Sequence, residues 1–206
     1  MKNLLFVTSS LSGEDSKSER VARELIAALG QTRINERNLG DGSIPHLTGE
    51  YLGAIMTAPN NRTPRQHELA RGGDTYIEDL EAADAIVIAA PMYNFAIPST
   101  LKAWLDHVTR AGRTFRYTAE GRPEGLLKDK KVYVVASRGG VYTGDSPVKS
   151  LDFQEPYLRH MLGFIGLTDV SFVHVEGQKI SSDAAEAGLN KARQVIAKIA
   201  PLAKAA

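Results

Sequence analysis

The sequence contains no cysteine, and this absence removes a whole class of chemistry. Disulfide bonds, thiolate nucleophiles and sulfur-ligated metal ions all depend on that residue. The five histidines are scattered along the chain and form no HExxH motif or other paired spacing. We therefore expect no metal site, and whatever chemistry the protein performs needs another source.

An excess of charge of one sign is also missing. The 25 lysine and arginine residues balance 24 aspartate and glutamate residues, so no basic field is available to attract nucleic acid. The segment "MKNLLFVTSS" has an apolar run too short for a signal peptide and lacks a small-residue cleavage pattern. We therefore expect a cytoplasmic protein that binds neither nucleic acid nor a membrane.

Short apolar runs alternate with amphipathic segments along the chain, a pattern typical of βαβ units with helices on both faces of a parallel sheet. No linker divides the chain, so we predict a single domain over residues 1–206. The fold class is α/β, with a doubly wound, five-stranded parallel sheet. Strands are predicted at 4–7, 32–39, 85–90, 131–137 and 170–175, and helices at 18–29, 64–82, 99–112, 156–166 and 182–200.

Two segments fit this pattern less well. Residues 40–63 are rich in Gly, Pro, Asn and Thr and are predicted to form a long loop. Gly72 and Gly73 interrupt the helix predicted at 64–82, either at a kink or at a join between two helices.

The loop after the first strand is unusually rich in hydroxyl groups. It reads "TSSLSGEDSKS" and leads into a helix amino terminus, which favours an anion such as phosphate. Ser16 and Glu19 also spell a capping box, so these residues have an ordinary structural use as well. For this loop alone, a phosphate site and a helix cap both stay open.

The same loop lacks the glycine motifs of other nucleotide sites. It has neither the GxGxxG of dinucleotide binding nor the GxxxxGK[ST] of a P-loop, and no lysine placed to manage Mg²⁺ and a γ-phosphate. Gly13 is the only glycine between Val7 and Gly30, so the loop offers hydroxyls, which suit a terminal monophosphate. A mononucleotide cofactor is therefore the natural hypothesis.

The loops after the third and fourth strands should converge on the same sheet edge. The first of these, "PMYNFAIP", is stiffened by proline at both ends; Asn94 can offer a donor and an acceptor to a flat heterocycle. Met92 and Phe95 either line such a ring or only plug the end of the sheet. In "SRGG", Gly139 and Gly140 permit close approach of a ligand or form a flexible turn.

Taken together, "SSLSGEDSKS", "PMYNFAIPSTLKAW", "AGRTFRYTAEGRPEGL", "SRGG" and "LGFIGLTDVSFVHVEG" resemble the FMN-dependent NADH-azoreductases, also called FMN-dependent NADH:quinone oxidoreductases. The resemblance covers almost the full length; PMYNF and SRGG are its specific parts, whereas the serine loop alone is not. It implies a flavodoxin-like fold, bound FMN, and NADH or NADPH as co-substrate. It also implies two-electron reduction of quinones and aromatic azo compounds by a homodimer with FMN sites at its interface.

The resemblance also assigns roles to individual residues. It implies that FMN is bound by Ser10, Ser16, Lys17 and Ser18 at the phosphate, by Met92, Tyr93, Asn94 and Phe95 along the isoalloxazine ring, and by Ser137, Arg138, Gly139 and Gly140 at its pyrimidine side. Tyr117 and Phe164 are placed near the acceptor pocket. No side chain is required as a catalytic acid, base or nucleophile, because hydride transfer is the chemistry of the cofactor. His107 and His160 fall on helices beside apolar residues and are interpreted as structural.

If donor and acceptor occupy one slot in turn, the kinetics should be ping-pong. A flavodoxin-type electron carrier is the alternative, but such carriers tend to be markedly acidic and this chain is nearly neutral. An anion-binding module without redox activity would require the serine loop to act alone.

Overall fold

The structure is a computed structural model and describes residues 3–30 and 33–205. Its strands are β1 (Asn3–Thr8), β2 (Arg33–Asn38), β3 (Ala85–Pro91), β4 (Phe115–Tyr117), β5 (Pro123–Gly125), β6 (Lys131–Ser137) and β7 (Asp169–Val175). Its α-helices are α1 (Lys17–Leu29), α2 (Gly49–Met56), α3 (Pro64–Ala82), α4 (Ser99–Val108), α5 (Gln154–Phe164) and α6 (Ser182–Ala205). No helix within these ranges is long and apolar enough to cross a membrane.

Five strands form one parallel sheet in the order β2-β1-β3-β6-β7. The chain moves outward from β1 to β2 and then returns to place β3 on the other side of β1. The sheet order therefore reverses at β1 and β3, and doubly wound sheets bind their ligands at the carboxyl ends of such strands. The predicted five-stranded, doubly wound α/β fold is confirmed.

Helices cover both faces of the sheet, which is why "AIVIAAP" in β3 is buried at every residue. One core packs α1 and α6 against the sheet, and the other packs α3, α4 and α5 against the opposite face. Trp104 of α4 is 1% exposed and belongs to the second core.

Helix α1 shows how the local sequence prepares the site. Its buried residues fall at helical spacing. Ser16 caps its amino end, because the Ser16 Oγ accepts a hydrogen bond from Glu19 N at 3.2 Å. The helix is followed by Gly30, which has a φ of 70°. The carboxylate of Glu19 bonds Arg23 at 2.8 Å, so only the serine half of the predicted capping box is formed.

Two predictions about the segment before β3 are wrong. Residues 40–63 contain helix α2, which the two glycines in "GEYLGAIM" concealed. Of the two alternatives for Gly72 and Gly73, the join between two helices is wrong, because helix α3 is continuous through both. A Cβ at Gly73 would overlap the Tyr51 hydroxyl and lie 2.6 Å from Arg110 Nη2, so close packing favours glycine there.

Other differences are smaller. Helix α4 ends at Val108, short of the predicted residue 112, and α5 begins two residues earlier than predicted. The antiparallel ribbon of β4 and β5 was not predicted, because strands of three residues carry no readable alternation.

Candidate active site

The carboxyl edge of the sheet carries a cavity of about 440 Å³, here called the rim cavity. The three loops predicted to converge there do so, and a fourth loop, after β7, joins them. The rim cavity is lined by Ser10, Ser12, Asp15, Ser16, Lys17, Pro91, Met92, Tyr93, Ser137, Arg138, Gly139, Gln178 and Lys179.

Hydrogen bonds tie the first three loops to one another. Leu11 N in the serine loop donates to the Tyr93 hydroxyl at 3.0 Å. Met92 N in turn donates to Ser137 O at 2.8 Å, which joins the loop after β3 to the loop after β6. The walls of the rim cavity are therefore held in register before any ligand enters.

The serine loop presents only part of its hydroxyl set to the rim cavity. Ser10 Oγ accepts from Ser12 N at 3.2 Å, and Ser16 caps helix α1. The Ser18 hydroxyl is fully buried 3.3 Å from Ser16 Oγ and does not line the cavity. Ser18 lies in the first turn of α1, where main-chain N–H groups have no partner within the helix.

The loop after β3 contains a strained turn. Tyr93 and Ala96 exchange two main-chain hydrogen bonds of 3.0 Å, and the two residues between them have positive φ angles, 48° for Asn94 and 69° for Phe95. Positive φ at both central positions is the pattern of a type I′ turn, which favours Asn and Gly and disfavours Phe. Phe95 is 47% exposed and lines neither the rim cavity nor the apolar groove described below.

Arg138 reaches the rim cavity through its main chain, while its side chain is fully buried beneath it. Nη2 lies 2.9 Å from the Asp152 carboxylate, and Nη1 donates to Glu176 at 3.3 Å. Nε donates to Gln154 Oε1 at 3.0 Å, and the Gln154 amide donates to Ala90 O at 3.0 Å. The guanidinium is thus matched by carboxylates and fastens the later loops to the end of β3.

The Glu176 carboxylate beside this arginine stays ionised. Burial acts to raise the pKa of Glu176, but hydrogen bonds from Thr143, Tyr142 N and Arg138 outweigh it and lower that pKa.

The carboxylate of Glu155, on helix α5, lies 3.8 Å from Arg138 Nη2. Burial also opposes ionisation of Glu155, yet hydrogen bonds from His174 at 2.6 Å and from Arg159 lower its pKa to about 2. This charge network supports the loops without entering the rim cavity.

An apolar groove of about 870 Å³ adjoins the rim cavity and shares Tyr93 with it. The groove is lined by Leu11, Tyr93, Asn94, Ala96, Ile97, Ser99, Lys102, Phe153, Pro156 and Tyr157. Several large apolar side chains stand in solvent around it, among them Leu11 at 65% and Phe153 at 60% exposure.

Tyr117 and Phe164 do not reach the rim cavity of their own chain. Their rings both contact Phe115, with centroids 5.7 Å and 4.7 Å away. Phe164 ends helix α5, whose first residue, Gln154, bonds the carboxyl end of β3. Ten rises of 1.5 Å place Phe164 about 15 Å along α5 from Gln154, near the amino edge of the sheet.

Neither histidine weighed from the sequence lines the rim cavity. His107 is 2% exposed, and its Nε2 lies 2.8 Å from Pro45 O. Burial lowers its pKa, which keeps the ring neutral. His160 is exposed on α5. Within the described residues, no three side chains of the His, Cys, Asp and Glu types are grouped to hold a metal ion.

Five residues that line the rim cavity were not predicted from the sequence: Ser12, Asp15, Pro91, Gln178 and Lys179. The signal for the last two was available, because every parallel strand ends at the same edge and "EGQKI" directly follows the fifth strand. Gly177, with a φ of 75°, turns the chain there so that the next residues face the rim cavity.

Known proteins share this arrangement. A family model described as flavodoxin-like fold matches residues 2–200. An FMN-dependent NADH:quinone oxidoreductase 2 of Pseudomonas fluorescens is 45% identical over 204 residues, covering 97% of this chain and 100% of the relative. An FMN-dependent NADH:quinone oxidoreductase of Alteromonas mediterranea is 44% identical over 199 residues, covering 95% and 97%. The crystal structure of an azoreductase from Bacillus anthracis superposes with a TM-score of 0.86 at 28% identity, covering 97% and 99%.

These similarities extend over nearly the whole chain and include all four loops of the rim cavity. They confirm the resemblance that PMYNF and SRGG indicated. The chain belongs to the flavodoxin-like family and, within it, to the FMN-dependent NADH:quinone oxidoreductases.

Proposed function

We propose that the chain binds FMN in the rim cavity and uses it to transfer two electrons from NADH or NADPH to quinones and aromatic azo compounds. One observation carries the proposal: loops from four strands meet at the switch point and enclose a single cavity with a helix amino terminus on one side and a polar main chain on the other. The names of the relatives, quinone oxidoreductase and azoreductase, support the acceptor classes.

The residues present fit FMN. At one end, Ser10, Ser16 and Lys17 combine two hydroxyls, a cation and the amino terminus of α1, a donor set suited to a phosphate monoester. Toward the other end, Pro91, Met92 and Tyr93 offer a largely apolar wall, and Ser137, Arg138 and Gly139 offer main-chain donors and acceptors, which match a flat ring with a polar edge. Asn94, Phe95 and Gly140, which the resemblance also assigns to FMN, do not line the rim cavity, and Asn94 lines the adjoining groove. Ser18 contributes its main-chain N–H.

Bound FMN would supply the hydride and two-electron chemistry, so the protein's own task is placement. The hydrogen bonds between the loops fix the walls, and the strained turn at Asn94 and Phe95 fixes the main chain directly after Tyr93, which lines both the rim cavity and the groove. The apolar groove gives donor and acceptor a dry surface beside the rim cavity.

Because one groove adjoins the rim cavity, donor and acceptor take turns in it, and we expect ping-pong kinetics. Initial rates measured against NADH at several quinone concentrations should give parallel double-reciprocal lines. Intersecting lines would contradict the shared slot. The same assay contains no protein partner, so sustained quinone reduction also excludes a flavodoxin-type carrier.

The phosphate assignment is tested by Ser16→Gly. Glycine is nearly as good a helix cap as serine, so the change removes the hydroxyl with only a few tenths of a kcal/mol of capping loss. A hydrogen bond to a charged group contributes about 1.5–3 kcal/mol, so FMN should bind at least tenfold more weakly by titration. Thr48→Gly makes the same kind of change at the cap of α2 and is the control, which should bind FMN as the wild type does. Unchanged FMN affinity in Ser16→Gly would show that Ser16 does not bind the phosphate.

A homodimer would account for the groove and for the distant aromatic residues together. The exposed rings and aliphatic chains around the groove form a surface that a second copy could cover, and that copy could bring its own Tyr117 and Phe164 toward the acceptor. Sedimentation equilibrium should give twice the mass of the chain. Phe164→Ala should then raise the KM for quinone with little change in FMN affinity; a monomer with normal quinone KM would refute this arrangement.

A further inference from the structure

Lys179 lines the rim cavity from the fourth loop, which the proposed function leaves without a role. We infer that Lys179 supplies the positive charge at the ring end of the cavity and raises the reduction potential of bound FMN. This inference rests on the proposed function, because it requires FMN in the rim cavity.

The main chain fixes where the Lys179 side chain starts. Lys179 N donates to Gly139 O at 2.9 Å, and Gln178 N donates to Arg138 O at 3.1 Å, so the fourth loop is hydrogen-bonded along the third. The aliphatic stem lies on Gly139, where an added Cβ would come within 3.2 Å of Lys179 Cγ. Gly139 therefore gives room to the lysine stem as well as to a ligand.

Sheet order decides which end of the cavity this is. Strand β7 lies three positions from β1 in the order β1-β3-β6-β7. At about 4.8 Å per strand, the two loops are about 14 Å apart. With the phosphate at α1, the flat ring falls at the Lys179 end, where the main chain of Gly139 matches the polar edge of the pyrimidine.

The other cationic residues that line the rim cavity do not supply a charge to its ring end. Arg138 is already matched by Asp152 and Glu176, and Lys17 stands at the amino terminus of α1. Lys179 forms no ion pair with any residue that the structure describes. Its charge is therefore available to a ligand.

Reduction changes the charge of the ring in a way that Lys179 can sense. NADH gives up a hydride and becomes NAD⁺, while the ring gains that hydride and one negative charge, delocalised over N1 and the C2 carbonyl. A nearby ammonium stabilises the reduced ring more than the neutral oxidised ring. Lys179 should thus favour acceptance of the hydride and raise the reduction potential.

The test is a spectroelectrochemical titration of the FMN-loaded protein, with titration of apoprotein by oxidised FMN in parallel. In Lys179→Gln, we expect the preference for reduced over oxidised FMN to fall about tenfold. For a two-electron couple this corresponds to a midpoint potential about 30 mV lower. Lys179→Arg keeps the charge and should remain close to the wild-type potential. Lys191→Gln, an exposed position on α6, is the control and should have no effect.

Each other outcome has a definite meaning. A wild-type potential in Lys179→Gln would overturn the inference and leave the proposed function intact. Equal weakening of both oxidation states would place Lys179 at the phosphate or ribityl chain and would also overturn it. Wild-type protein that takes up no FMN would overturn the proposed function together with this inference.

Discussion

The strained turn at Phe95 gives a stability prediction with an unusual sign. An L-residue with a Cβ loses about 1–2 kcal/mol in the left-handed region, whereas glycine does not. Glycine loses about 0.5–1 kcal/mol more chain entropy than alanine on folding. With a φ of 69° at Phe95, Phe95→Gly should therefore be more stable than Phe95→Ala by about 0.5–1 kcal/mol. Both variants remove the same half-exposed ring, so its packing cancels in the comparison.

Leu52 provides the matched control, because it is a similarly exposed apolar residue, at 42%, within helix α2. In a helix alanine is more favourable than glycine, so the free energy of unfolding of Leu52→Ala should be about 1 kcal/mol higher than that of Leu52→Gly. Urea unfolding of the four variants gives the free energies directly. If Phe95→Ala is as stable as Phe95→Gly, the turn is not strained, and its geometry is then no sign of a role in ligand binding.

Two further predictions concern Glu155 and the paired glycines of α3. The pKa of Glu155 is lowered to about 2 from an ordinary 4.5, so the ionised carboxylate stabilises the fold above about pH 4.5, and this stabilisation is lost as the pH falls toward 2. Over that window, the free energy of unfolding of Glu155→Gln should change by up to about 3 kcal/mol less than that of the wild type. Equal pH profiles of the two proteins would contradict this. Gly73→Ala should lower the free energy of unfolding by about 1–3 kcal/mol, because the added Cβ displaces the hydrogen bond from Arg110 to Tyr51. Gly72→Ala has open space at its Cβ and should raise the free energy of unfolding by up to about 1 kcal/mol. Equal effects of the two variants in thermal unfolding would show that the close packing at Gly73 is absent.

The sheet could be predicted from the sequence because its signal is strong and local. A run such as "AIVIAAP" is apolar at every position only where both faces are covered, and the periodic helices between such runs leave few alternatives. Helix α2 was hidden because eight residues with two glycines give too little periodicity to outweigh their turn propensity.

The site was predictable in outline for a different reason. Strand order brings the loops together whatever their composition, so unusual residues after β1, β3 and β6 could be assigned to one edge. The direction of individual side chains could not be predicted. The sequence does not show that Ser16 lines the rim cavity while Ser18 does not, and the carboxylates that enclose Arg138 come from far along the chain.

Strand β2 limits how copies of this protein can associate. It ends the sheet on one side, and its sequence "RINERN" places Arg33, Glu36 and Arg37 along that open border. Charged side chains on a sheet border oppose lateral joining with another sheet, because pairing would strip water from them. Growth of a continuous sheet through the β2 edge is thus disfavoured.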